Sequence, residues 1–247
     1  MSTDLTGQVA VITGAAAGIG QAIATHLAER GARIAGVDIA PALAEAVAEL
    51  PGEGHRAVSA NIADAAEAAE AVSRIDTELG TPRILVNSAG IGRFAPAEDL
   101  AAKDWSSTLA VNLSGSFFMA QAAGRVMLEA GYGRIITIAS QAAEIGLAEH
   151  AAYSASKAGV LGFTRVLAVE WAGRGVTINT VSPTIADTAL AREIWVGEKG
   201  ETARAQIPAG RFVAPDEIAS LVTFLASEES AMITGEDVRI DGGRAVI

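Results

Sequence analysis

Tyr153 and Lys157 stand four residues apart in Tyr153-Ser154-Ala155-Ser156-Lys157, with Ser140 upstream. A free phenol has a pKa of about 10 and is a poor base at neutral pH. On a helix, residues four apart share one face, so the Lys157 ammonium is expected beside the Tyr153 phenol. That charge favours the phenolate and moves its pKa toward the working range. A hydroxyl at Ser140 can donate a hydrogen bond to an oxygen on which negative charge develops. Phenolate, serine donor and helper cation are what is needed to take the proton from an alcohol while hydride leaves its carbon. Each also has an ordinary reading. Ser140 could cap the next element, Tyr153 and Lys157 could form a solvated surface pair, and Asn112, the further polar member of the set, could merely interrupt a helix.

A departing hydride needs an acceptor, and the start of the chain resembles a place for one. The apolar run Val9–Thr13 passes into Gly14-Ala15-Ala16-Ala17-Gly18-Ile19-Gly20 and then into a helical pattern. Gly14 suits a tight turn out of a strand, Gly18 lets backbone approach a pyrophosphate, and Gly20 lets helix and strand pack closely. The helix N-terminus then offers free N–H groups to the phosphates. Glycines alone also serve ordinary turns, but here strand, helix and carboxylate follow in the right order. The carboxylate is Asp38, closing Ile34-Ala35-Gly36-Val37-Asp38. It can accept hydrogen bonds from both adenosine ribose hydroxyls and repels a 2′-phosphate. Ile39 follows where a basic residue would help NADP, and Ala15–Ala17 hold no Lys or Arg, so NAD is the expected cofactor. The alternative for Asp38 is a solvated side chain opening a loop.

The spacing of three residues between Gly14 and Gly18 resembles the short-chain dehydrogenase/reductase family, and the likeness extends over essentially the whole chain. Asn87-Ser88-Ala89-Gly90 is similar to that family's Asn-Asn-Ala-Gly turn, Ser88 departing from the usual second Asn. Asn112, Ser140, Tyr153 and Lys157 fall where the family has its Asn-Ser-Tyr-Lys tetrad. The resemblance implies that Asn112 holds a water linking Lys157 to solvent and that Lys157 contacts the nicotinamide ribose. It further implies cofactor contacts for Gly14, Gly18, Ile19, Gly20, Asp38, Asn61, Ile62, Asn87, Ala89, Gly90, Tyr153, Lys157, Pro183, Ile185 and Thr188. Asn61 stands beside the adenine where the family often has Asp, and Thr188 and the Ile185 backbone stand near the nicotinamide carboxamide. Asn179-Thr180-Val181-Ser182-Pro183-Thr184 resembles the family's Asn-x-x-x-Pro-Gly turn, with Thr184 in the glycine position, which leaves the local backbone open. Asp241-Gly242-Gly243 matches the family's C-terminal signature, usually near a subunit interface.

Several segments also resemble NAD-dependent polyol dehydrogenases, the group acting on D-threitol, D-arabitol or glycerol. They are Ser140-Gln141-Ala142, His150 before Tyr153, Trp195-Val196-Gly197, and Ile207-Pro208-Ala209-Gly210-Arg211-Phe212. A polyol site needs buried polar groups that pair with several hydroxyls. Gln141, Glu144, His150 and Asn87 are candidates, with Trp195 as a further substrate residue. The expected reaction is oxidation of a short polyol to a ketose. Three alternatives stay open: reduction of a ketone such as a 3-oxoacyl thioester, oxidation of a larger apolar secondary alcohol, and a catalytically idle NAD sensor. An acyl-carrier reductase usually wants NADPH and a basic docking patch, and an idle sensor is expected to lose part of the tetrad. His150 could also be an exposed loop histidine.

These residues need a scaffold, and the hydrophobic pattern provides one. Strand-like runs at Val9–Thr13, Arg33–Val37, Arg56–Ser59, Ile84–Asn87, Arg134–Ile138, Val176–Val181 and Asp237–Ile240 alternate with amphipathic or Ala-rich segments. The latter include Gly20–Arg30, Ala63–Leu79, Ala152–Ala172 and Pro215–Ser227. Such alternation reads as right-handed βαβ units. The expected fold is α/β, a Rossmann-type doubly wound parallel sheet of about seven strands forming one domain over residues 1–247. Residues 184–210 break the rhythm and are expected either to cover the substrate or to form a surface helix pair. The Ala-rich stretches Ala101–Arg125 and Ala152–Ala172, which the family resemblance places at helix–helix subunit contacts, suggest a symmetric homotetramer.

Composition narrows the partners. There are 18 basic residues against 29 acidic, a net charge of −11, and no Lys/Arg cluster, which argues against nucleic acid or an anionic membrane. The absence of cysteine excludes disulfides, thiolate catalysis and Cys-ligated zinc, and no metal is expected. Met1–Gly7 is polar, without a basic or apolar signal region, and no apolar run reaches membrane-spanning length. A cytoplasmic enzyme with a small-molecule partner is the expectation.

Overall fold

Strands buried on both faces read as near-continuous apolar runs, and the central apolar runs of this chain become such strands, while Arg56–Ser59 and Asp237–Ile240 form less buried ones. The computed structural model describes residues 3–246 apart from the side chain at position 190, so residues 1, 2 and 247 of the expected domain, including the first two of Met1–Gly7, lie outside it. The strands are β1 (Val9–Thr13), β2 (Arg33–Asp38), β3 (Arg56–Ser59), β4 (Pro82–Asn87), β5 (Gly133–Ile138), β6 (Val176–Pro183) and β7 (Asp237–Ile240). They form a seven-stranded sheet in the order β3-β2-β1-β4-β5-β6-β7, and every pairing is parallel. The expected α/β Rossmann-type sheet is therefore the fold. β4 begins two residues earlier than expected, at Pro82, a first-residue position where a missing N–H is tolerated.

The helices are α1 (Gly18–Ala28), α2 (Leu43–Ala48), α3 (Ala65–Leu79), α4 (Ala102–Leu109), α5 (Ser116–Ala130), α6 (Ala151–Trp171), α7 (Ala189–Ile194), α8 (Gly197–Ala205) and α9 (Pro215–Leu225). On one face of the sheet, Ile23 and Leu27 of α1 and Ile218, Val222 and Leu225 of α9 pack on Ile12, Ile34 and Ile136. On the other, Val72 and Ile75 of α3, Met119 and Met127 of α5, and Leu167 and Trp171 of α6 pack on Val11, Leu85 and Ile178. Truncating a fully buried member such as Ile12 or Leu85 to Ala costs about 2–5 kcal/mol. Local signals set helix ends: Asp64 Oδ1 accepts from the N–H groups of Ala66 and Glu67 at the start of α3, and Pro215 opens α9.

Two features of this scaffold position a site. The chain order reverses between β1 and β4, and the crevice beyond the C-terminal ends of such strands is where α/β sheets bind ligands. Between α4 and α5 the helix widens into a π-helical stretch, Ala110–Gly115, a feature frequent at functional sites.

Candidate active site

The tight turn after β1 is packed against the turn after β4. Gly14 has φ 71°, and a Cβ there would lie 2.8 Å from the Ala89 backbone. A Cβ on Gly20 would lie 2.1 Å from the Gly14 carbonyl oxygen, so α1 can press on the turn only as glycine. Thr13 bolts the two turns together, its Oγ1 accepting from the N–H groups of Ser88 and Ala89 at 3.1 Å. No side chain caps the start of α1 at Ala17, which leaves its first N–H groups for a ligand. Gly18 has φ 60°, and only Thr188 Cγ2 comes near a Cβ built on it, at 3.6 Å. This concave, uncapped cradle fits a dinucleotide pyrophosphate.

Asp38 ends β2 beside the cradle. One carboxylate oxygen accepts from Ala40 N–H at 3.0 Å and the other from Ala16 N–H at 3.3 Å, and each oxygen keeps a lone pair for a ribose hydroxyl. Ile39, next along, is 70% exposed. Asn61 is exposed, its Oδ1 accepting from Ala63 N–H, and Ile62 is buried against the position of Gly115.

Asn112 sits in the π-helical stretch, fully buried. Its amide pairs with both main-chain groups of Ile91, N–H to Oδ1 at 2.8 Å and Nδ2 to the carbonyl at 2.9 Å. Nδ2 also donates to Ser156 Oγ at 3.1 Å, and Ser156 in turn donates to the Tyr153 carbonyl. Asn112 thus fixes the loop after β4 to the helix that carries the tyrosine.

Ser140 leaves β5 and caps a short 3-10 turn, its Oγ accepting from Ala142 N–H at 3.1 Å. The capping role and a donor role are compatible, because the O–H proton remains available. Tyr153 and Lys157 lie on the first turns of α6. The Lys157 ammonium is buried, donates to the Ile138 carbonyl at 2.7 Å and lies 5.6 Å from the Tyr153 ring centroid. Burial pushes the Tyr153 phenol above its ordinary 10, a hydrogen bond with Ser140 opposing the rise. Burial pushes Lys157 down from 10.5 to about 8. The expectation that the ammonium lowers the phenol is therefore corrected: loss of water around the phenol is the larger influence, and its hydrogen bond with Ser140 the opposing one.

The candidate substrate residues divide. Gln141 is buried, and its Oε1 has no hydrogen-bond partner among the described residues. His150 precedes α6 with Nδ1 2.6 Å from the Ala148 carbonyl; a carbonyl only accepts, so Nδ1 carries the proton and Nε2 of the neutral ring is an acceptor. Its ring lies 6.2 Å from that of Tyr153. Asn87, by contrast, is turned inward: Nδ2 donates to the Ser116 carbonyl and Thr137 Oγ1, and the side chain ties β4 to its neighbours instead of facing a polyol. Glu144 is paired with Arg239 at 2.9 Å. Trp195 packs edgewise on Phe212 at 6.5 Å, with Lys199 over its ring.

The 184–210 segment runs from the phosphate cradle to the C-terminal tail. Ala186 bridges Val213 in parallel, the Ile185 carbonyl accepts from Val213 N–H, Thr188 caps α7, and Ala209 N–H donates to the Gly242 carbonyl at 3.0 Å. Thr184 needs no glycine conformation, since Glu149 is the one non-glycine with positive φ among the described residues. Pro183 ends β6, paired with Ile240. In the tail, Asp241 accepts from Gly243 and Ala245 N–H groups. No cluster of three or more metal-ligating side chains occurs among the described residues, and no helix among them is long and apolar enough to cross a membrane. Phe94 escaped the sequence reading. Its ring meets those of His150 at 4.3 Å and Tyr153 at 5.9 Å, and its only sequence signal is an aromatic just past the Asn87–Gly90 turn.

Residues 14–245 match a family model described as enoyl-(acyl carrier protein) reductase. The chain is 53% identical over 245 residues to the D-threitol dehydrogenase of Mycolicibacterium smegmatis, covering 98% of this chain and 94% of that protein. It is 41% identical to the NAD-dependent glycerol dehydrogenase of Listeria innocua, over 98% and 96% of the two chains. It is 38% identical to the 3-oxoacyl-(acyl-carrier-protein) reductase of Escherichia coli, over 98% of each. Among solved structures it is similar to a gluconate 5-dehydrogenase candidate from Beutenbergia cavernae, described as NAD(P) dependent and with NADP bound at low occupancy (TM-score 0.93, 36% identity, 100% of each chain). The chain belongs to the short-chain dehydrogenase/reductase family of oxidoreductases, which use a nicotinamide dinucleotide.

Proposed function

We propose that this enzyme oxidises a short polyol of the D-threitol or D-arabitol type to the corresponding ketose, with NAD as cofactor. Gly14, Gly18, Gly20 and the free start of α1 would hold the pyrophosphate, Asp38 the adenosine ribose, and Ile185 and Thr188 the nicotinamide end. When bound, the oxidised nicotinamide is the hydride acceptor. Ser140 donates its O–H to the substrate oxygen, and Tyr153 takes the hydroxyl proton. Loss of one proton from the Tyr153–Lys157 pair leaves either phenol with amine or phenolate with ammonium, two arrangements of equal charge, so the pair acts as one base. Its proton is released near pH 8, the value to which Lys157 is held. Oxidation is therefore expected to gain about tenfold per pH unit below 8 and to level off above it. A profile flat from pH 6 to 9.5 would contradict this assignment.

The observation that carries the polyol reading is the His150 ring beside that of Tyr153, with Nδ1 engaged by the Ala148 carbonyl and Nε2 left as an acceptor. Acceptors left unpaired in a site demand hydroxyl donors from the substrate, and analogues without them are rejected strongly. The relatives named for threitol and glycerol support the same choice, and Asp38 with the exposed Ile39 beside it supports NAD. The test is a comparison of kcat/KM for D-threitol, D-arabitol, glycerol and 2-butanol with NAD and NADP. A four- or five-carbon polyol with NAD is expected to win. Victory for 2-butanol would end the polyol reading, and a 3-oxoacyl thioester reduced with NADPH in preference to either would install the reductase alternative.

A further inference from the structure

Half of the Phe94 side chain is open to solvent, yet the ring is held in place from several sides. It lies tilted on the His150 imidazole with centroids 4.3 Å apart and presents an edge contact to the Tyr153 ring at 5.9 Å. It also folds back over Gly92 so closely that a Cβ there would come 2.3 Å from Cζ. Its loop is clamped at one end by Asn112, through both main-chain groups of Ile91. At the other end Ala95 N–H donates to the Glu149 carbonyl at 3.2 Å. Glu149 holds a left-handed φ of 66°, a conformation that is strained for a non-glycine residue and concentrates at functional sites. Two loops, from β4 and from the start of α6, are thus joined at a fixed aromatic pair beside the catalytic phenol.

We infer that Phe94 is a specificity-determining residue, an apolar platform for the C–H face of the substrate chain beyond the reacting carbon. The inference rests on the polyol reading and adds to it. The reacting carbon must sit at the Tyr153 hydroxyl, so the rest of a four- or five-carbon chain runs along neighbouring surface. A polyol chain presents C–H groups on one side and hydroxyls on the other. The Phe94 ring suits the first, and the His150 Nε2 acceptor next to it suits the second. A phenyl face gains from apolar contact and from electrostatic attraction to polarised C–H groups. A simple alcohol uses neither fully, so the pair selects for a chain carrying several hydroxyls.

The experiment compares wild type, Phe94→Ala and Phe94→Tyr in kcat, KM and NAD dissociation constant, with D-threitol and 2-butanol as substrates. Phe94→Ala is expected to raise KM for D-threitol about tenfold with a smaller change in kcat. The preference for D-threitol over 2-butanol should fall by a similar factor, the NAD dissociation constant should stay within about twofold, and Phe94→Tyr should restore KM. An unchanged KM and preference in Phe94→Ala would overturn the platform. So would equal losses in kcat and NAD binding, which mean a structural role, or a failure of Tyr to rescue. If wild type leaves D-threitol untouched, the polyol reading fails on its own. The platform is then judged on the alcohol series that wild type does oxidise: it stands if Phe94→Ala alters the preference between short and long members, and falls if it does not.

Discussion

Charging Lys157 at neutral pH costs the folded state about 3 kcal/mol relative to the unfolded chain, because its pKa drops from 10.5 to about 8 on burial. Between those values the unfolded chain binds more protons, so this residue makes stability rise with pH from 8 to 10.5, and below 8 the penalty is complete. Lys157→Met removes the penalty but strands the Ile138 carbonyl. Its stability relative to wild type, from urea unfolding, is expected to be greater at pH 7 than at pH 10, while oxidation is lost. A stability difference that does not change with pH would show that the burial cost is absent. Tyr153→Phe should reduce turnover by orders of magnitude and leave NAD binding within about twofold; an active variant would displace Tyr153 as base. Asp38→Ala should narrow the preference for NAD over NADP, measured as the ratio of kcat/KM. These residues stood out in the chain because proton transfer and ribose binding, the roles proposed for them, admit few side-chain types at few spacings. The direction of the Tyr153 shift was not legible, since spacing says which groups meet and nothing of the water they lose. Phe94 was equally silent: its role comes from a loop fold that joins it to His150.

At the scale of elements, the π-helical stretch and the two loops it secures matter more than their length suggests. Asn112 satisfies two main-chain groups of Ile91 and reaches Ser156 from a fully buried position. Asn112→Ala leaves those groups without partners and is expected to cost about 2–4 kcal/mol in urea unfolding, with a raised polyol KM. A stability loss under 0.5 kcal/mol would show that the loop holds itself. Glu149→Gly should raise stability by up to about 1 kcal/mol, because glycine accepts a positive φ at no steric cost and loses part of that gain to its freer unfolded chain. A clear loss of stability would mean that the residue is unstrained. The central strands were legible from apolar runs bounded by turn residues, since a buried parallel strand leaves little choice of side chain, and the less buried β3 and β7 from their place in the alternation with helical segments. The paths of residues 91–96 and 184–210 were not. They are fixed by long-range contacts, such as Ala95 with Glu149 and Ala209 with Gly242, that have no local periodicity.

Over the whole molecule, α6 leaves Val166 and Val169 uncovered at 55% and 86% exposure, on a stretch rich in small residues. We expect a symmetric homotetramer in which such helices meet, and Val169→Glu should shift sedimentation toward smaller species. A wild-type monomer at micromolar concentration would contradict the assembly. The strand order carries a separate consequence for the chain as it is made. β1 and β4 are neighbours at the centre of the sheet, although β2 and β3 come between them in sequence. A nascent chain can therefore zip β1, β2 and β3 together early, yet β1, apolar from Val9 to Ile12, keeps a bare edge of unpaired N–H and C=O groups until Pro82–Asn87 arrive. At about 5–20 residues per second that interval is roughly 4–15 s, and through it the future middle of the sheet is the sticky rim of a half-made one. The joint that later frames the cofactor crevice is thus also the point at which synthesis leaves this protein most open to wrong partners.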